Sequence, residues 1–126
     1  MKLIPFLASS CMIFRVEREG KPNVYLWVDG DRVKVTNFYG VASMFTHDPE
    51  PVPVITKEFD EEVDEALEKL RDFPKDKLAE MFERVDEGIE HKKENEDGWK
   101  EYCEWEKYAL DEVKKAEENG GGEVMF

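Results

Sequence analysis

Five carboxylates, Glu58, Glu61, Glu65, Glu68 and Asp72, recur through one stretch of the chain at spacings of three and four residues. Wound at about 100° per residue they fall within roughly 80° of arc, and no Lys or Arg lies among them. Side chains so placed stand about 5–6 Å apart and form a line of negative charge. The chemistry open to them is attraction of a basic surface in the manner of a phosphate backbone. The alternatives are that Lys75, Lys77, Lys92 or Lys93 of the next helix neutralises the ridge, or that water alone solvates it.

Four other sets of residues could carry chemistry. Tyr25, Trp27, Arg32 and Lys34 alternate along two strand-like segments, so aromatic and basic side chains share one sheet face, an arrangement suited either to base stacking or to ordinary cross-strand packing. With a formal net charge of -13 the packing reading is favoured, and Tyr25, Trp27 and the outlying Tyr108 are retained only as weaker partner-binding candidates. Glu87 and His91 lie one helical turn apart with Glu94 a turn further on, a set that can hold a divalent ion. Acids are so frequent in this chain that such spacings arise by chance, so no metal or cofactor is expected. His47-Asp48, with Ser43 near in sequence, lacks the context of a nucleophile triad, and no Gly-rich phosphate loop occurs, so no catalytic residue is assigned.

Glu106 is the fourth. Trp99, Tyr102, Trp105, Ala109, Leu110 and Val113 make one broad apolar arc of a helix, and Glu106 falls inside it by rotation while Tyr108 falls outside. A carboxylate there needs a partner or an altered pKa, or must sit at the rim and reach water.

The elements that position these residues form an α+β chain: a three- to four-stranded antiparallel meander followed by three helices packed on one sheet face. Leu3 to Ala8, broken by Pro5, fits an edge strand. Met12, Phe14 and Val16 alternate with Ile13, Arg15 and Glu17, and after Glu19-Gly20 the alternation resumes in Val24, Leu26 and Val28. Asp29-Gly30 predicts a two-residue hairpin, setting Val28 opposite Asp31, Leu26 opposite Val33 and Val24 opposite Val35. Across the preceding turn Val16 should meet Val24, and Phe14 should meet Leu26. Val41 to Phe45 reads as a short fourth strand. One domain is expected over 1–126: meander 1–45, Pro-rich connection 46–56, acidic helical part 57–119, and Gly-rich turn with apolar tail 120–126. Thr56 should cap the first helix, which ends at Phe73-Pro74; the second runs on to Asp97-Gly98 and the third from Trp99 to Glu118.

Charge is divided unevenly between these parts. Residues 1–56 hold six bases and six acids, whereas 57–119 hold twelve bases and twenty-four acids. The absence of Gln and the wealth of Lys and Glu resemble thermophile composition, but ion-pair networks need both signs in comparable number and do not explain a twofold acid excess. Such a surface is repelled by nucleic acid and anionic membrane. Cys11 and Cys103 lack metal-type spacing and are expected as reduced thiols in the cytoplasm, with a disulfide between them as the alternative.

These features together lead to a non-enzymatic protein–protein interaction module that presents its acidic helices to a basic protein surface, as an inhibitor or nucleic-acid mimic would. Small acidic inhibitors made by viruses against host nucleic-acid machinery are similar in general character, though no motif ties the chain to them. The alternative expectation is a structural or homo-oligomeric domain of a thermophile, and the third a divalent-metal or enzyme site near Glu87 and His91.

Overall fold

The computed structural model describes residues 2–8, 11–47, 52–55 and 57–124. Strands β1 (Lys2–Ala8), β2 (Met12–Arg18), β3 (Lys21–Asp29) and β4 (Arg32–Thr36) form an antiparallel sheet in the order β1-β2-β3-β4. Helix α1 (Phe38–His47) follows, then β5 (Val52–Pro53), a 3₁₀ turn (Lys57–Phe59), and helices α2 (Asp60–Asp72), α3 (Lys75–Lys93) and α4 (Glu96–Glu118). Strand β6 (Glu123–Val124) closes the described chain by pairing with β5. The α+β class and the N-terminal antiparallel meander are as expected.

Alternation dictates the sheet. Val16 pairs with Val24 and Phe14 with Leu26, as the sequence pattern requires. At the next hairpin the register differs by two residues: Asp29 pairs with Arg32, Val28 with Val33, Leu26 with Val35 and Trp27 with Lys34. The loop is therefore Gly30-Asp31, with only Gly30 at positive φ (57°), the turn that places glycine first rather than the Asn-Gly type. A shift of two keeps every side chain on its expected face, because the strand period is two.

Helices lie on both faces of the sheet, which corrects the expectation of one covered face. On one side α2 and α3 bury Ala66 and Ile89, with Val63, Leu67, Leu78 and Phe82 half-buried, against Phe14, Val16, Val24, Leu26, Val28 and Val35. On the other, α1 and α4 pack Phe38, Val41, Ala42, Tyr102, Ala109 and Val113 against Phe6, Leu7, Ile13 and Tyr25. The second face carries Arg15 and Lys34 as well as apolar side chains, yet Ile13, Tyr25 and half-buried Trp27 give it enough apolar surface to need a cover. A bulge between Pro5 and Leu7 sends Phe6 and Leu7, both fully buried, into this same layer.

The segment expected as a fourth meander strand, Val41 to Phe45, is helical instead, so the meander ends at Thr36. Asn37 starts the helix, its side-chain oxygen accepting from the Gly40 N–H at 3.3 Å. Helical spacing then buries Phe38, Val41 and Ala42 together. The second helix ends early as well: α3 stops at Lys93 and Asn95 caps α4, accepting from the Gly98 N–H at 3.1 Å. Thr56, the expected cap of α2, lies outside the described residues; Phe59 precedes that helix with no side-chain cap bond.

The β1 edge of the sheet has company. Leu7 of β1 forms a bridge with Val54, and the Ile55 N–H donates to the Phe6 carbonyl at 3.3 Å. The tail therefore docks as expected for Glu123–Val124; Met125 and Phe126 lie outside the described residues. Only Glu94 and Asn95 separate α3 from α4, and Trp99 touches both apolar layers.

Candidate functional site

Helix α2 sits on the sheet through buried Ala66 and half-buried Val63, Leu67 and Leu70. That anchoring turns the opposite side outward, and Glu61, Glu65, Glu68 and Asp72 are all exposed there. Glu58 is exposed too, but in the 3₁₀ turn ahead of the helix, so it leads the line rather than belonging to the helical stripe. Among the described residues none of the five lies within ion-pair distance of a Lys or Arg. The lysines that could have neutralised them do not: Lys93 pairs with Glu90 at 3.1 Å, and the Lys92 ammonium lies 4.5 Å from the centre of the Tyr39 ring. Asp60, Glu61 and Glu62 fill the first turn of α2, where the helix dipole favours negative charge. Lys69 and Arg71 of the last turn stand one turn beyond Glu65 and Glu68 but form no ion pair with them among the described residues.

The aromatic and basic set behaves differently. Tyr25 is fully buried beneath α1 and α4, which removes it from any partner surface and corrects that expectation. Trp27 is half-buried, with the Lys34 ammonium 5.2 Å from its ring centre, which is cross-strand packing of a cation on an aromatic. Tyr108, at 55% exposure, stands outside the packed arc of α4.

Glu106 does lie within the packed arc, half-buried, and it has found a partner. The Tyr25 hydroxyl donates to its carboxylate at 2.6 Å. Burial pushes the Glu106 carboxyl above its usual range, while the Tyr25 hydrogen bond and the Arg15 charge pull it down. Tyr25 in turn is pushed far up, first by its burial and then by the Glu106 charge. Nearby on α4 the Tyr102 oxygen accepts the Phe38 N–H at 2.8 Å, satisfying a donor at the start of α1.

Glu87 and His91 are exposed on α3, and the His91 Nδ1 lies 3.7 Å from Glu94. They line an open groove of about 860 Å³ between α3 and the β2–β3 hairpin, beside Arg18, Lys21, Phe82 and Asp86. No group of three or more potential metal ligands comes together among the described residues. The Ser43 hydroxyl donates to the Gly40 carbonyl at 2.8 Å; the His47 side chain and Asp48 lie outside what is described. Cys11 and Cys103 are free thiols, the first half-buried and the second exposed.

Sequence reasoning missed Arg18 and Asp86. The guanidinium grips both carboxylate oxygens at 2.7 Å and also donates to the Pro22 carbonyl at 3.0 Å, tying the hairpin to α3. Sixty-eight positions separate the two residues, and no local pattern announces the pair.

Among the described residues no helix is long and apolar enough to cross a membrane. No protein family, curated protein or solved structure matches the chain.

Proposed function

We propose that the protein is a non-enzymatic interaction module in which the ridge Glu58, Glu61, Glu65, Glu68 and Asp72 docks on a basic surface of a partner protein, blocking a site that would otherwise hold nucleic acid. The observation that carries this reading is that all five carboxylates are exposed and unpaired among the described residues, four of them on the outer side of α2 and Glu58 in the turn that leads into it. Like charges one turn apart cost a helix a few tenths of a kcal/mol per pair, and among the described residues no ion pair to the ridge offsets it. A complementary surface would offset it. The free thiols suit the cytoplasm as the place of action.

Replacing Glu61, Glu65 and Glu68 together with Lys tests the idea. The partner is recovered with the wild-type protein and the two affinities are compared at several salt concentrations. Loss of about tenfold or more in affinity, a wild-type affinity that weakens with salt, and an unchanged or slightly raised melting temperature are expected. Equal affinity of variant and wild type would refute the assignment.

A further inference from the structure

Helix α3 repeats the spacing of the ridge. Glu80, Glu83, Glu87, Glu90 and Glu94 follow one another at three and four residues and, at about 100° per residue, fall within about 80° of arc. The last four of them line the groove of about 860 Å³ between α3 and the β2–β3 hairpin, whose facing wall is Gly20, Lys21 and Pro22. Unlike the ridge, this stripe borders apolar surface, supplied by exposed Ala79 and half-buried Phe82 on α3 and by half-buried Pro22 across from them.

The lysines and the arginine of the groove are already engaged. Asp86 holds Arg18 at 2.7 Å and Lys21 at 3.8 Å, and Glu90 holds Lys93 at 3.1 Å. Glu83 and Glu87 are exposed and form no ion pair among the described residues, while Glu94 meets only the His91 Nδ1, at 3.7 Å. The groove therefore combines an apolar floor with carboxylates whose nearby cations are spent. Pro22 has no N–H, and its carbonyl accepts from Arg18 at 3.0 Å, so side chains rather than an added strand must hold an occupant there.

We propose that this groove binds a short extended segment of a partner protein in which Arg or Lys alternates with apolar residues. The cations meet Glu83, Glu87 and Glu94, and the apolar side chains cover Phe82 and Ala79. The spacing agrees, since four residues of helix separate Glu83 from Glu87 by about 6 Å along the axis, and alternate residues of an extended chain stand about 6.6 Å apart. The site shares no residue with the ridge of α2, and it does not rest on the reading of that ridge.

The test follows amide NMR shifts of the full chain during titration with a short synthetic peptide in which arginine alternates with leucine, at about 0.15 M salt, where distant charges are screened. The shifts should gather on α3 between Ala79 and Glu94 and on Gly20 and Lys21, away from α2. Ala79→Trp fills the groove without altering its charge, and Glu83→Gln combined with Glu87→Gln removes charge without filling it; each should weaken the peptide by about tenfold or more. The ridge variant with Lys at 61, 65 and 68 should stay within about threefold of wild type, so the groove and the ridge are judged separately. Serine in place of leucine in the peptide should weaken it by about tenfold or more. Wild-type affinity in either groove variant, shifts centred on α2, or equal binding of the serine peptide or of spermine would overturn the site; the glutamine pair, at two exposed positions, decides if Ala79→Trp fails to fold.

Discussion

Removing the Asp86 carboxylate should be among the costliest single changes outside the apolar layers. Arg18 is only 13% exposed and Asp86 27%, so the pair sits between a solvated bridge and a buried one. Two charge-assisted bonds at 2.7 Å are lost in Asp86→Ala, and Arg18 is left with its Nε already unpartnered. Hydrogen bonds to charged groups contribute about 1.5–3 kcal/mol each, and breaking a fully buried pair costs about 3–5 kcal/mol. Partial exposure and the retained Pro22 carbonyl reduce this to about 2–3 kcal/mol. With an unfolding entropy of about 2.1 cal/mol/K per residue, a chain of 126 residues loses about 8–11 °C in melting temperature. Arg18→Met and the double variant complete the cycle. The double variant should be less destabilised than the two single losses combined, by about 1.5–2 kcal/mol, because neither charge is stranded. Calorimetry at pH 7 measures all four proteins. A loss below about 0.5 kcal/mol for Asp86→Ala, the level of an exposed pair, or strict additivity, would refute the claim that this contact ties the hairpin to α3.

Other changes test the local structure. Asn95→Ala removes the oxygen that caps α4 and should cost about 1 kcal/mol by denaturant titration. Gly40→Ala places a methyl where the Thr36 side chain already stands, so α1 must shift; a loss of about 1–3 kcal/mol and altered Trp105 emission are expected, and Thr36→Ala in the same chain should restore part of the stability. Gly30→Ala, with open space around it but φ at 57°, should cost about 1–2 kcal/mol through backbone strain alone.

The strands were legible because their alternation is strict: Phe14, Val16, Val24 and Leu26 leave one pairing that keeps all four in one layer. The second hairpin was legible in face but not in register, since slipping Val28 from Asp31 to Val33 changes the turn and leaves the pattern intact. Helix α1 was misread because Val41 and Phe45 favour strands by type, while the deciding signal was Asn37 three residues ahead of Gly40. Asn95 is hidden for a similar reason, since Asp97-Gly98 reads as a stop whereas the Gly98 N–H is the donor to the cap. The placement of α4 was out of reach of helical periodicity, which says that Tyr102 and Ala109 are buried but not against which face. Tyr25 and Trp27 carried that information, as rings too large to leave beside Ile13 in water. Glu106 was readable as an anomaly by rotation alone, its answering hydroxyl eighty-one residues earlier was not.

Because both faces of the sheet are covered from outside, synthesis order has a cost. The ribosome delivers the charge-balanced strands first, and the helices that cover one face entirely and most of the other are made only after residue 57. About 70 residues separate the end of α1 from the end of α4, which at about 5–20 residues per second leaves two greasy surfaces waiting roughly 4–14 s for their covers. The acidic half is thus also the solubilising half, and a chain cut short before α2 should precipitate rather than persist as a stable meander.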